Sequence, residues 1–159
     1  MKLVWVFFAV FLCALPAFGF EKKALDRLIA TGKCVGCDLS GADLSGMHLN
    51  GVDLEAANLC DAKMKGTRLS RANLKGAQLK GANLAGAFLG GASLEDADLS
   101  DADLSYAQFF YARMHRAKLI GANLYHTDFL QARLSDVLWF DRSLCNEGSI
   151  GQCKHKTEL

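Results

Sequence analysis

Cysteine and histidine are the residue types in this chain that could carry redox or metal chemistry. Cys34 and Cys37 are separated by two residues, the spacing of a redox centre or of half a zinc site. A thioredoxin-like centre needs a βαβ context and a zinc site needs a second matching pair, and the sequence supplies neither. Asp38 rather than histidine follows Cys37, which excludes haem attachment. We therefore predict either a disulfide in an N-terminal cap or two buried thiols.

The histidines show no metal-ligand spacing and fall on different columns of a five-residue repeat. They are His48, His115, His126 and His155. No Ser/His/Asp constellation, phosphate-binding glycine loop or pair of carboxylates emerges either. We predict a protein that is not an enzyme and has no catalytic residue, metal or cofactor. A small exported enzyme that uses Cys60 or the Cys34/Cys37 pair is the weakest alternative.

Three further cysteines follow the first pair. We predict a disulfide between Cys145 and Cys153, which lie close together near the end of the chain, if the protein resides in an oxidising compartment. Cys60 comes directly after an apolar residue and is predicted to point outward. Five cysteines remain once the targeting segment is removed, and this odd number makes Cys60 the candidate free thiol.

The five-residue repeat fills most of the chain and must position these residues. From Leu39 to Leu134 every fifth residue is large and apolar, and the residue two positions earlier is alanine in fifteen of twenty units. On an α-helix five steps advance about 500°, which spreads these residues around the axis. On a straight strand five steps alternate between faces. The pattern therefore excludes both a helix face and a half-buried strand.

A chain that turns a corner every five residues satisfies the pattern. Each short side then points its central residue and the residue two before it toward one axis, and four sides close a coil of about twenty residues. Glycine is frequent at the corners, where it permits tight bending. Asparagine or aspartate precedes the central residue in ten units, where such side chains bond nearby turn backbone. These ten are Asp38, Asp43, Asp53, Asn58, Asn73, Asn83, Asp98, Asp103, Asn123 and Asp128.

The repeat unit resembles that of the pentapeptide-repeat family. Cys37-Asp38-Leu39-Ser40-Gly41 and Ala82-Asn83-Leu84-Ala85-Gly86 show its A(D/N)LXX form, and the resemblance covers about residues 37 to 140. It implies an all-β fold, a right-handed quadrilateral β-helix of about five coils. The flanks of the repeat are similar to those of exported bacterial members.

The ends of such a solenoid need caps, because an open end exposes a sheet-like edge. Leu25, Leu28 and Ile29 have helical spacing before Gly32 and predict a short amphipathic helix over the first coil. The apolar run 137–140 is predicted to plug the far end, followed by the disulfide-closed loop.

The predicted domain organisation has four parts. Residues 1-19 form a signal peptide, 20-36 the N-terminal capping helix and CxxC turn, 37-140 the pentapeptide-repeat solenoid and 141-159 the C-terminal cap and tail.

The first residues read as a cleaved export signal. Lys2 is followed by a thirteen-residue apolar run, by the helix breaker Pro16 and by Ala17-Phe18-Gly19, so we expect cleavage after Gly19. The apolar run is short against the roughly 20 residues that span a bilayer, so no stable membrane insertion is expected after cleavage. We predict a periplasmic or extracellular protein.

Charge and aromatic residues mark the surfaces that remain for binding. Without Lys2 the chain has 17 basic and 17 acidic residues, a balance that does not favour nucleic acid as a partner. Six basic residues lie between 63 and 80 and five acidic ones between 95 and 103, and solvation accounts for both belts unless a polar partner binds them. The candidate interaction patch, here called the aromatic patch, consists of Phe88, Tyr106, Phe110, Tyr111, Tyr125 and Leu130.

We predict a non-enzymatic exported scaffold whose partner is an unknown protein or envelope component. A homodimer through a solenoid end or through the aromatic patch is a further expectation, and burial of the patch under the C-terminal tail is its alternative. Some members of the family mimic duplex DNA and bind topoisomerases, which requires cytoplasmic residence and a strongly acidic surface. The export signal and the near-neutral charge of this chain disfavour that alternative.

Overall fold

The computed structural model of this 159-residue chain describes residues 22–154. The predicted signal peptide and its cleavage site, residues 1–19, and the histidine at position 155 lie outside the described residues.

The body of the molecule is a four-sided solenoid with twenty residues per coil. The residue before each central apolar residue pairs in parallel with the residue twenty positions later, from Lys33↔Asp53 to Lys118↔Leu138. Each side contributes a single bridge residue, so within residues 22–154 the β-structure consists of isolated bridges. Backbone hydrogen bonds run along the solenoid axis and join each coil to the next. The Leu39 N–H, for example, donates to the carbonyl of residue 58 at 2.8 Å.

We number the four sides by the central residues that stack on each of them. These columns are Leu39, Leu59, Leu79, Leu99 and Leu119 on side 1; Leu44, Met64, Leu84, Leu104 and Leu124 on side 2; Leu49, Leu69, Leu89, Phe109 and Phe129 on side 3; and Leu54, Leu74, Leu94, Met114 and Leu134 on side 4.

The predicted inward positions form the core. Central residues and the alanines two positions before them are almost all fully buried, and burial of one such large side chain contributes roughly 1.5–3 kcal/mol. Thr67 replaces an alanine and is also buried, because its hydroxyl donates to the Leu44 carbonyl at 2.8 Å. Leu124, in the last coil, is only half-buried.

The predicted role of the asparagines and aspartates is confirmed. In all ten units, the side-chain Oδ1 accepts a hydrogen bond from the backbone N–H two residues later, as Asp38 does from Ser40 at 3.0 Å. Asparagine also donates to the aspartate one coil below, as Asn58 Nδ2 does to Asp38 Oδ1 at 3.0 Å. These side chains therefore fix the entry to each corner and link successive coils.

Every corner has a residue in the left-handed conformation. The positive φ recurs at each fifth position from Gly36 to Asp136, and non-glycine residues occupy about half of these corners. A left-handed non-glycine residue costs roughly 1–2 kcal/mol, so the stacking of coils must compensate for this strain.

Helix α1 spans Lys22–Thr31 at the N-terminal end of the solenoid. Its Ala24 and Leu28 are buried in the core cluster, and Leu25 packs against it. The prediction that Ile29 belongs to the buried face is wrong: it is 60% exposed, because the buried positions 24 and 28 lie four residues apart on another face of the helix. Gly32 ends the helix with its N–H bonded to the Leu28 carbonyl at 2.8 Å.

The C-terminal segment turns back over two of the four sides. After Trp139 the chain reverses in a tight turn, and residues 144 and 150 then pair in antiparallel fashion with Leu138 on side 1 and Arg133 on side 4. Of the predicted apolar plug, Val137 is buried and Trp139 packs against the core, whereas Phe140 is 47% exposed because it occupies an outward turn position.

Both predicted disulfides are formed in the structure, Cys34 with Cys37 and Cys145 with Cys153. The first lies beneath α1, whose Arg27 guanidinium contacts both sulfur atoms. The second closes the segment over sides 1 and 4. In the described part of the chain, no helix has the length and hydrophobicity needed to cross a membrane.

Two glycines allow the corner geometry to be tested. Gly86 has a φ of +65° and open space where a methyl group would lie, whereas Gly90 has no positive φ and has room for a methyl group in ordinary contact with its neighbours. We expect Gly86→Ala to lower the free energy of unfolding by about 1 kcal/mol, and Gly90→Ala to raise it by about 0.4–1 kcal/mol. Urea denaturation of both variants measures the difference. Equal effects of the two substitutions would contradict the strained-corner account.

Candidate surface for partner binding

The structure brings the aromatic patch together on side 3 and its two corners. Phe88 is the bridge residue of side 3, and Phe110 and Leu130 stack one coil apart on its outward turn positions. Tyr106 and Tyr111 are the corner residues that bound this side. These positions follow from the period, because residues twenty positions apart stack and residues five apart occupy neighbouring sides.

The large side chains of the patch are exposed. The exposed fraction is 67% for Tyr111, 58% for Tyr106 and 56% for Leu130, whereas Phe110 is half-buried. Tyr106 packs edge-on against Tyr125, with ring centroids 5.5 Å apart. A group of exposed apolar side chains on one side of a solenoid is typical of an interaction site. The C-terminal segment pairs with sides 4 and 1 and reaches the edge of side 3 at Gly151, but its described part does not bury the patch, because Tyr106, Tyr111 and Leu130 remain more than half exposed.

His126 is a member of this surface that was not predicted from the sequence. Its ring stacks on Tyr106 at a centroid distance of 5.3 Å and meets Tyr125 edge-on at 4.2 Å. The repeat spacing could have predicted this contact, because His126 is the corner residue twenty positions after Tyr106 and must stack above it. Rings that pack on one another lose less freedom on binding, which favours a preformed contact surface.

The acidic belt, in contrast, pairs with basic side chains of the neighbouring coils, whereas Lys80 is the one residue of the basic belt that lies within 4.0 Å of a described carboxylate. Arg116 forms a bidentate pair with Asp96, with Nε–Oδ1 and Nη2–Oδ2 distances of 2.6 Å. Arg113 Nε lies 3.1 Å from Glu95 Oε1. Two longer pairs lie on side 1 and its corner, Lys118–Asp98 and Lys80–Asp101. The acidic belt therefore lies between two layers of basic residues. Its carboxylates are accounted for by solvation and by pairing within the protein, without a bound partner.

A shallow cleft on side 4 has a volume of about 460 Å³ and is lined mainly by charged side chains. Arg113 Nη2 donates to Ser93 Oγ at 2.9 Å, and Ser93 in turn contacts Glu95. Asn73 Nδ2 donates to Glu55 Oε2 at 3.1 Å. These mutual contacts occupy much of the polar lining of the cleft.

Electrostatics at the belt follow from the same pairing. The hydrogen bond from Arg116 lowers the pKa of Asp96 below its ordinary value of 3.8, and Asp96 raises the pKa of Arg116 above its usual range. A hydrogen bond from Ser45 lowers the pKa of Asp43 in the same direction. These two carboxylates thus stay ionised at neutral pH.

The cysteines offer no reactive thiol within the described residues. Cys60 occupies the predicted outward turn position, but the prediction that it is a free thiol is wrong: it is 3% exposed, and no described cysteine is free. The residue lies between Ser40 and Lys80 in its column, and unlike them it is buried. Among residues 22–154 no group of three or more cysteine, histidine or acidic side chains is arranged to hold a metal ion.

The repeat body matches one protein-family model. The family, described as pentapeptide repeats, is matched by residues 37–76, 77–110 and 111–137 with eight copies. The chain belongs to the pentapeptide-repeat family. This membership gives the solenoid the right-handed coiling of the family's β-helix. Pentapeptide-repeat proteins are structural or interaction scaffolds and are generally non-enzymatic.

The chain is similar to several solved structures. A pentapeptide repeat protein from Nostoc Pcc 7120 is 27% identical, with a TM-score of 0.56 over 64% of this chain and 82% of that one. A pentapeptide repeat protein from the cyanobacterium Cyanothece 51142 is 31% identical over 66% of this chain and 88% of that one, with a TM-score of 0.39. One from the thylakoid lumen of Arabidopsis thaliana is 26% identical over 80% and 88%, with a TM-score of 0.37. No curated protein matches the chain.

The Asp96–Arg116 pair gives a prediction about pH. Arg116→Gln removes the hydrogen bond that lowers the pKa of Asp96, so that pKa is expected to rise. Because the folded pKa is below 3.8, the pair stabilises the wild-type fold fully above the unfolded-state pKa, and this contribution disappears as the pH falls through the folded value. NMR titration of the Asp96 carboxyl measures the shift. Arg113→Gln, which removes the partner of Glu95, is the matched control and should leave Asp96 nearly unchanged.

Proposed function

We propose that this protein is an exported, non-enzymatic scaffold that binds a protein or envelope component through the aromatic patch on side 3. One contrast carries the proposal. The acidic belt pairs with basic side chains of the neighbouring coils, whereas Tyr106, Tyr111 and Leu130 expose more than half of their surface. A partner that covers these side chains removes apolar area from water and gains about 25 cal/mol per Å² before the costs of association.

Export is the second part of the proposal. The segment up to Gly19 has the charge, apolar run and small residues of a cleaved signal. Disulfides of the kind formed by Cys34–Cys37 and Cys145–Cys153 persist in oxidising compartments and are rare in the cytosol. Cleavage leaves a mature chain that begins with the capping segment 20–36, continues with the solenoid 37–140 and ends with the cap 141–159.

A second copy of the chain is the alternative partner for the aromatic patch. The patch is the largest group of exposed aromatic residues on one side of the described solenoid, so self-association through it would also cover it. We rank a different protein or envelope component first, and the mass of the purified protein in solution distinguishes the two.

The patch is tested by paired substitutions on opposite sides. Tyr106→Ser with Tyr111→Ser removes two exposed rings from the corners of side 3, and Ile120→Ser with Phe140→Ser removes apolar groups from side 1. Chemical cross-linking in the producing cell, followed by mass spectrometry, measures the partners of each. We expect the amount of cross-linked partner recovered with the tyrosine variant to fall at least about tenfold. The reason is that each hot-spot aromatic typically contributes about 1–2 kcal/mol to the free energy of binding. Equal partner recovery from both variants would remove side 3 from consideration.

Export is tested by fractionation and by sequencing the mature N-terminus. We expect the protein outside the cytoplasm with Phe20 as its first residue. Phe8→Arg places a charge in the apolar run and should retain the uncleaved chain inside the cell. Recovery of the wild-type chain only from the cytoplasm would contradict export and favour the DNA-mimic class instead.

A further inference from the structure

The C-terminal end of the solenoid is covered on only two of its four sides. Residues 144 and 150 pair above sides 1 and 4, whereas the last coil of sides 2 and 3, residues 122–131, has no strand above it among the described residues. This half of the end therefore forms a step next to the C-terminal cap. We call residues 122–131 the open edge.

The open edge presents unpaired backbone groups along the solenoid axis. The N–H groups of residues 124, 126, 129 and 131 make no hydrogen bond within residues 22–154, and neither do the carbonyls of residues 122 and 127. One coil below, the corresponding N–H groups are all bonded: Leu104 donates to Asn123 at 2.9 Å and Phe109 to Asp128 at 2.7 Å. The open edge thus repeats the hydrogen-bonding pattern of the interior and lacks only its partner.

The side chains above the open edge are incompletely covered as well. Leu124 is half-buried and Phe129 is 8% exposed, whereas Leu104 and Phe109 below them are fully buried. A cleft of about 600 Å³ runs between residues 126–131 and residues 150–152 of the cap. The core column of side 3 therefore opens into a space that apolar side chains can enter, and the half-buried Leu124 ends the column of side 2 beside it.

From this arrangement we infer that the open edge is a docking site for an extended segment of a partner protein, which adds as a further half-coil. The inference rests on the proposed scaffold function and specifies its site. The segment continues the established contact between coils: its backbone pairs with the free groups of residues 122–131, and its apolar side chains extend the columns of Leu124 and Phe129. Those columns select a small residue two positions before each large apolar residue, as the chain's own repeats do.

The size of the edge favours one extended segment over a second folded copy. The ten residues of the open edge extend over roughly 3.3 Å each, and a strand is about 4.8 Å wide, so the contact strip has an area on the order of 160 Å². A stable interface between folded proteins buries about 800 Å² on each partner. Strand addition gains affinity from main-chain hydrogen bonds instead of area, which suits a strip of this size.

Amide hydrogen exchange of the full-length protein tests whether the edge is open. We expect fast exchange at residues 124, 126, 129 and 131 and slow exchange at the bonded amides one coil below, Leu104, Tyr106, Phe109 and Tyr111. Slow exchange of the first group at every protein concentration would show that the chain covers its own edge and overturn the inference. Protection that appears only with increasing concentration, together with a dimer mass, would assign the edge to a second copy and overturn it too.

A synthetic peptide with the sequence of residues 82–91 serves as the probe. This segment already stacks on sides 2 and 3 in the solenoid, and it has alanine two positions before each leucine. Its addition is expected to slow exchange of the four edge amides at least about tenfold, as hydrogen bonding does for buried amides. A control peptide exchanges each leucine with the residue before it and keeps the composition. Equal protection by both peptides, or by neither, would contradict docking in register.

Two exposed leucines provide matched variants. Leu130 is 56% exposed within the open edge, and Leu144 is 53% exposed on the covered half of the end. Lysine at an edge opposes strand addition. Leu130→Lys should therefore abolish most of the slowing of amide exchange that the peptide 82–91 causes at the open edge, and Leu144→Lys should preserve that slowing. Tyr106→Ser with Tyr111→Ser should preserve it as well, which separates failure of this inference from failure of the aromatic patch. Loss of protection in all three variants would contradict a site at the open edge.

Discussion

Parallel backbone pairing between residues twenty positions apart joins each coil to the next, and every other feature of the molecule depends on that spacing. An isolated coil has no interior, because its four central residues face an empty axis until the coils above and below close it. The strained corners depend on the same stacking. Residues such as Arg71 and Tyr111 adopt a left-handed conformation that their local sequence does not favour, and neighbouring coils hold them there.

The fixed spacing separates the residues into two groups with different constraints. Inward positions hold a large apolar side chain at the centre of each side and mostly alanine two positions before it, since the axis must be filled without voids. Outward positions need only tolerate a turn or a bridge, so they are where members of such a fold can differ. On this chain those positions hold two kinds of chemistry, charges that pair between coils and aromatic rings that collect on side 3.

The unpaired backbone edges at the two ends of the solenoid are covered to different extents. At the N-terminal end, α1 inserts Ala24 and Leu28 into the core cluster and closes the first coil. At the C-terminal end the chain reverses after Trp139, and its described part covers sides 1 and 4 only. An unpaired edge next to an apolar cleft is a surface that soluble proteins usually block, which is why its retention here points toward a partner.

The sequence by itself determined the repeat, the inward columns, the turn role of the ten asparagines and aspartates and the family, because a strict period of five leaves one simple way to bury every leucine. It also indicated both disulfides and the members of the aromatic patch, since stacking at a distance of twenty residues is implied by the period. Only the tertiary structure decided the features that depend on the non-repeating ends or on packing between coils. The outward face of Ile29, the burial of Cys60, the stacking of His126 with the tyrosines and the half-open C-terminal end follow from contacts between segments that no local pattern encodes.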